Sequence, residues 1–354
     1  MRRFLGENGM ISHVERNIVA RMERWRRFFD MDVPSRGLFF VRYVEGAPER
    51  PPLHPNRKQE RIEWAWRQYE RQIEQAQWLD DDFVPYLDVV TGTEIFAEAF
   101  GCRVQRPHND LPFARPLVGR ASEAARISVP NLGSTPLVLL FEIADELRRR
   151  AGNGALLKIV DIQSPMDISA LIWDKNTFYS AILESSEAVK ELAGKVTQLL
   201  AAFLDEWFSR YGEAFVAHYP DYYMPRGVTL SEDEVGAVSE EMFVECFLPE
   251  LAGLSERYGG IGMHCCANAR HQWTNFTKIP NLRLLNLVRP PEEVRDACRF
   301  FADHVAQMHS WAGDGDPLSW PHQHPPGAHI VFEVPADTKE KAIALAAGLR
   351  EACG

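Results

Sequence analysis

The chain has 354 residues, of which 45% are hydrophobic, 25% charged and 11% aromatic. That apolar share supports a real core and excludes a disordered or low-complexity chain. The length admits two average domains or one large α/β barrel. Fifty acidic against 39 basic residues give a formal charge of −11, so a general basic field for nucleic acid is absent.

The N-terminal stretch MRRFLGENGMISHVERNIVARMERW has no apolar run after its arginines, so no signal peptide is expected. The longest apolar stretch, Pro136 to Phe141, is far below the roughly 18 residues of a membrane span. A soluble, cytoplasmic protein with no membrane partner is the expectation. The six cysteines form no CxxC and no disulfide framework.

In chain order, residues 1–36 read as an N-terminal helical extension. Strand and helix patterns then alternate. A strand at Gly37–Val44 is followed by a helix at Arg57–Leu79, a strand at Phe83–Val90 and a helix at Pro136–Arg150. A strand at Ala155–Ile162 precedes a helix at Ser186–Tyr211, whose Val189, Leu192, Val196, Leu199, Leu200, Phe203 and Leu204 recur at helical spacing. Next come a strand at Ala214–Tyr219, a helix at Ser239–Tyr258 and strands at Gly260–Cys266 and Leu282–Val288. A helix at Pro291–Asp303, strands at His304–His309 and Ala328–Val334, and a helix at Asp337–Ala352 close the series. Ser239 and Asp337 suit N-caps. Eight strands with intervening helices imply parallel pairing. They predict an α/β fold, a (β/α)8 TIM barrel over residues 37–354. No GxGxxG follows an early strand, so no nucleotide cofactor is expected.

In such a barrel, reactive groups collect where strands end. The candidates are Arg42, Asp88, Gln163, Tyr223, Arg226, Asp233, His264, Cys266, Asn286, His309 and Glu333. His264 and Cys266 are two apart on a strand, which puts them on one face while Cys265 points away. Imidazole and thiolate suit zinc, although a buried cysteine and a carbonyl-bonded histidine are the ordinary alternative. The Glu232–Asp233–Glu234 run is either a solvated helix lead-in or a source of one acid/base or ligand carboxylate. Arg42 can hold a substrate carboxylate or bond a neighbouring acid. His322 and His324 form an HxH pair in a Pro-rich loop and read as solvated rather than as ligands, whereas His329, at the start of a strand, reads as structural. Tyr222, Tyr223, His271 and Trp273 suggest an aromatic-walled pocket or ordinary packing.

Several blocks resemble the uroporphyrinogen decarboxylase superfamily, which includes corrinoid-dependent cofactor methyltransferases. They are GTEIFAEAFGC at 92–102, DIQSPMDIS at 161–169, MPRGVTLSEDEVGAVSEEMFVECFLPEL at 224–251, GGIGMHCCANARHQW at 259–273 and VPADTKEKAIAL at 334–345. Their order spans most of the chain from about residue 83. The resemblance implies a (β/α)8 barrel and, by its habit, a possible homodimer. Against the decarboxylase pattern, Arg42 matches the first arginine of an Arg-Gln-Ala-Gly-Arg motif, the second is missing, and a late Gly-His-Gly is absent. Asp88 matches the decarboxylase's strand-two aspartate. In the methyltransferase pattern, His264 and Cys266 match the first two zinc ligands, and the later cysteine falls near Phe332. Glu333, Asp233 or His309 would then complete the set.

Three readings follow. The first is zinc-assisted methyl transfer to a thiol, with a corrinoid protein as donor. There His264, Cys266 and Glu333 hold the metal and Asp233, Asp88 and His309 serve catalysis. The second is a metal-free decarboxylase or lyase of a carboxylated, tetrapyrrole-like molecule, in which Arg42 anchors a carboxylate and Asp88 or Asp233 stabilises a protonated intermediate; Arg42, Gln163, Tyr223, Arg226 and Asn286 are the expected substrate contacts. The third is a non-catalytic ligand-binding barrel.

Overall fold

The computed structural model describes residues 13–353 except 36, 44, 47, 48, 108 and 109. Of the expected N-terminal extension, residues 1–12 and 36 therefore lie outside the described residues.

Nine strands frame the site: β1 Leu38–Tyr43, β2 Tyr86–Leu87, β3 Leu156–Leu157, β4 Phe215–Val216, β5 Val228–Ser231, β6 Ile261–Cys265, β7 Leu282–Leu287, β8 Ala306–Gln307 and β9 Val331–Ala336. All eight expected strands have a counterpart here. Helices precede, separate and follow them, including α1 His13–Phe28, α2 Lys58–Trp78, α3 Val138–Ala151, α4 Pro165–Ile172, α5 Lys175–Glu184, α6 Ser186–Tyr211, α7 Leu248–Tyr258, α8 Pro291–Phe300 and α9 Lys339–Cys353.

Pairing is parallel between β1 and β9, β2 and β3, and along β5–β6–β7–β8. Single parallel bridges extend the series, Lys158 to Val216, Gln163 to Ser231 and Gln307 to Ile330. Strands β5, β6 and β7 are buried along nearly their whole length, as helix-covered parallel strands must be. Among the described residues the ladders do not close into one ring. Between β1 and β2 the reason is visible. The N–H groups of Phe39 and Val41 donate to the carboxylates of Asp82 and Asp81, at 3.0 and 3.1 Å. Side chains there do what a neighbouring strand would do elsewhere.

Those two aspartates also anchor the chain's ends. Arg21 pairs with Asp81 at 3.3 Å, and Arg24 and Arg350 both reach Asp82, at 2.5 and 3.0 Å. Thus α1 and α9 meet at the loop ahead of β2. Trp25 of α1 is fully buried against Phe28, Phe29, Phe40 and Tyr222. Its Nε1–H donates to Asp82 O at 2.9 Å.

Three expectations need correction. The strand that ladders onto β6 is Val228–Ser231, whereas Phe215–Val216 of the expected fourth strand pairs antiparallel with Tyr223–Met224. The helix expected over 239–258 is split by a wider turn at Phe243–Phe247. Pro249, just inside α7, has no N–H to continue the ladder. Ser239 does cap the first piece, accepting from Met242 N at 3.2 Å, but α9 is capped by Thr338, which accepts from Lys341 N, rather than by Asp337. Helices α4 and α5 and the hairpin Arg103–Gln105 with Phe113–Arg115 were not anticipated.

Candidate metal centre and its ion-pair surround

Parallel register brings the site together. Ser231 of β5 stands opposite His264 of β6, which stands opposite Asn286 of β7. One step past its strand, Glu232 donates its backbone N–H to His264 O at 2.8 Å, which carries Asp233 over the end of β6. There the Asp233 carboxylate accepts the backbone N–H of Cys266 at 2.6 Å. One ligand atom from each of Asp233, His264 and Cys266 lies within 4.8 Å of the others. Cys265, between the two, is fully buried, and Cys266 is exposed, as the period of a strand requires.

This donor set fits a zinc ion. Nitrogen, thiolate sulfur and carboxylate oxygen are its ligands, at bond lengths of about 2.0–2.3 Å. Three protein ligands leave a fourth position open, the pattern of reactive rather than structural zinc. The imidazole is pre-oriented. Asn286 Nδ2 donates to Met308 O, so its Oδ1 faces His264 Nδ1 at 2.5 Å and takes the proton there. That leaves the His264 Nε2 lone pair for a ligand, held by a partner of the kind that metal-binding histidines use. The rings of Tyr219 and His264 meet nearly perpendicular, with centroids 4.9 Å apart. Burial and then the Asp233 charge push the Cys266 thiol up to about 11, so without a cation it stays protonated at neutral pH.

Beneath the triad sits a buried acid pair. Asp167, in the first turn of α4, accepts the backbone N–H groups of Asp233 and Glu234, at 2.8 and 3.0 Å. Ser164 caps that helix and accepts from Asp167 N at 3.0 Å. The pair Asp167 and Glu232 is withdrawn from water. Burial raises both carboxyls, Asp167 to about 7 and Glu232 well above its usual range, with Asp167's charge adding to the latter. The pair therefore retains a proton at neutral pH.

Beside the triad runs an ion-pair chain. Glu333 meets Arg42 at 2.8 Å and Arg42 meets Asp221 at 3.6 Å. Asp221 meets Lys158 at 2.8 Å and Lys158 meets Asp88 at 3.6 Å. Burial works against the charge on Lys158, but Asp221 and Asp88 outweigh it and raise its pKa well above the usual value. A cavity of about 220 Å³ opens between Asp88, Lys158, Asp161 and His218. Burial drives His218 down to about 3, so it is a neutral imidazole, bonded to Ser231 Oγ at 3.1 Å. Asp161 stands 3.7 Å from His218, and burial pushes its carboxyl up to about 6.

Several expected roles change. Glu333 is spent on Arg42, and Asp233 stands in the triad instead. Arg42 in turn is committed to Glu333 and Asp221, and Asp88 to Lys158 and to Val90 N, which it accepts at 2.8 Å. His309 is buried with both nitrogens engaged. Nδ1 accepts from Leu287 N at 2.9 Å, so Nε2–H donates to Gln307 Oε1 at 2.9 Å, and burial holds it near 3. Asn286 serves His264. Gln163 remains at the site, bridged to Ser231, with Oε1 buried and unpartnered among the described residues.

Tyr223 and Arg226 lie at the other end. Arg226 precedes β5 and Asp233 follows it, which separates them by roughly 20 Å of extended chain. Tyr223 accepts from Arg26 at 3.0 Å. Tyr222 and Trp273 are packing residues, and His271 bonds Val238 O. His329 bonds the carbonyl of Phe28, as its structural reading expects, whereas His324, expected in a solvated loop, is half-buried and bonds the carbonyl of Ala312. Lys158, Asp167 and Tyr219 went unassigned in the sequence. Lys158 sits inside an apolar strand run, and nothing local marks it as facing a cavity.

No curated protein matches the chain. Among solved structures, a methyltransferase from Methanosarcina mazei aligns with a TM-score of 0.65 at 11% identity, over 93% of this chain and 98% of that one. At that identity the likeness concerns the fold alone. An apo homocysteine methyltransferase, MmuM from Escherichia coli, aligns at a TM-score of 0.21 and 14% identity, over 46% of this chain and 74% of that one, which has no bearing on the fold. The family model for uroporphyrinogen decarboxylase (URO-D) matches residues 88–287, more than half of the chain, a span that includes Asp233, His264 and Cys266. The chain belongs to the uroporphyrinogen decarboxylase (URO-D) family.

Proposed function

We propose that this chain is a (β/α)8-barrel enzyme that transfers a methyl group from a corrinoid donor to a thiol, with zinc held by Asp233, His264 and Cys266. Residues 37–354 form the barrel in this reading and residues 1–36 an N-terminal extension. The parallel ladders and the bridges that join most of them support the barrel. The single observation that carries the chemistry is the convergence of N, S and O donors on one strand end. The printed activity of the Methanosarcina mazei protein, a methyltransferase, is extended to this chain as part of the proposal.

Zinc in such a site supplies Lewis-acid activation of a thiol, making it nucleophilic near neutral pH. The chain's own residues do the rest. Asn286 fixes the His264 tautomer, and Asp167 holds the turn that presents Asp233. Asp161, facing the cavity, takes the thiol proton on its carboxylate. Gln163 offers an unspent amide oxygen to the substrate. The lyase reading is less supported, because Arg42 and Asp88 are already paired within the chain.

Metal analysis of the purified chain tests the proposal. One zinc per chain is expected, retained in Cys265→Ser and lost in Cys266→Ser. A zinc-replete preparation without stoichiometric metal overturns it.

A further inference from the structure

Beyond the metal site, at the opposite end of β5, β6 and β7, lies a second cavity of about 580 Å³. Three guanidinium groups from separate segments surround it. Arg26 comes from α1, Arg226 from the turn before β5 and Arg283 from β7. Its apolar wall is Phe29, Met31 and Met224. Asp30 is the one acid among the lining residues, and its carboxylate accepts Asp32 N at 3.2 Å.

Elsewhere in this acidic chain arginines find close carboxylates, as Arg42, Arg150 and Arg257 do at 2.6–2.8 Å. Here they do not. Among the described residues Arg226 has only Glu213 as a carboxylate partner, at 3.7 Å between exposed side chains. Among the described residues Arg283 has no carboxylate partner, only Gly259 O at 3.4 Å. The backbone makes room for both. Gly259 and Gly260 have φ of +85° and +148°. A Cβ would meet Arg226 Nε at 3.1 Å from Gly259 and Arg283 Cγ at 2.8 Å from Gly260. Two underused guanidinium groups thus flank one glycine pair, with a third, held by Glu23 and Tyr223, across the cavity.

We propose that this cavity binds a phosphate-bearing organic anion, at a site separate from Asp233, His264 and Cys266. A planar carboxylate is satisfied by one arginine fork, whereas a tetrahedral dianion presents oxygens to several at once. The methionine and phenylalanine wall takes the apolar part of the ligand. The proposal is independent of the metal reading.

Calorimetric titration of the full chain tests it, with phenyl phosphate, inorganic phosphate and benzoate as probes. Saturable one-to-one binding is expected for phenyl phosphate, tighter than for inorganic phosphate or benzoate. Arg226→Ala and Arg283→Ala should each weaken it about tenfold, with unchanged unfolding midpoints because both side chains reach solvent. Arg283→Lys, which keeps the charge and loses the fork, should fall between wild type and Arg283→Ala. The proposal is overturned by no saturable binding at millimolar ligand, by equal binding of benzoate, by undiminished binding in the alanine variants, or by loss of binding in Asp233→Asn.

Discussion

Asn286→Ala isolates the support of the metal site from its ligands. The side chain is buried between two strands, with Oδ1 on His264 Nδ1 and Nδ2 on Met308 O. Removing it deletes two hydrogen bonds of about 0.5–1.5 kcal/mol each, so stability should fall by about 1–3 kcal/mol. The imidazole then loses its fixed tautomer and orientation. Losing such a partner weakens metal affinity about 10–100-fold, or about 1.4–2.7 kcal/mol. Competition for zinc against a chromophoric chelator reads the affinity, and urea unfolding of the metal-free protein reads the stability. Asn286→Asp separates the two effects. It keeps an acceptor for His264 but sets a carboxylate against the Met308 carbonyl, so it should lose stability and keep affinity. Wild-type affinity in Asn286→Ala, or equal weakening in both variants, would refute the argument.

Three further outcomes are expected. Trp25→Ala empties the fully buried contact between α1 and the core, which should cost about 3–5 kcal/mol in urea unfolding. A loss under about 1 kcal/mol would mean that α1 does not pack there in solution. Glu232→Gln should raise the unfolding temperature, and more at pH 8 than at pH 5. The folded pair holds a proton that the unfolded carboxyl releases above its usual 4.5, so the native chain loses stability as pH rises. A gain that is larger at pH 5 would reverse that sign. Asp161 must be ionised to accept a proton, so kcat/KM for methyl transfer from methylcobalamin to a thiol should rise with pH through about 6. Asp161→Asn should be slow and flat over that range, and an unchanged profile would remove Asp161 from the mechanism.

Local geometry was readable directly. Long apolar runs and 3–4-residue spacing placed the strands and α6, because burial on two faces or on one stripe leaves a periodic trace. The same logic put His264 and Cys266 on one face and Cys265 in the core, since alternate side chains of any strand point apart.

What depended on register was not readable. Glu333, Asp233 and His309 all qualify as the third ligand by sequence, and Asp233 is the one that joins His264 and Cys266 because Ser231 stands opposite His264, a pairing between segments some thirty residues apart that leaves no periodic trace. Val228–Ser231 is short and half hydroxylic, so the strand itself went unseen, and Tyr223 and Arg226 were placed at the wrong end of it. Arg42 shows the same limit. A lone strand-end arginine suits a substrate carboxylate, but Glu333 and Asp221, brought alongside by β9 and by the turn after β4, satisfy its charge first. Chemistry of single residues and of neighbours two to four apart follows from backbone geometry, whereas the choice of partner across strands follows from how the sheet is assembled.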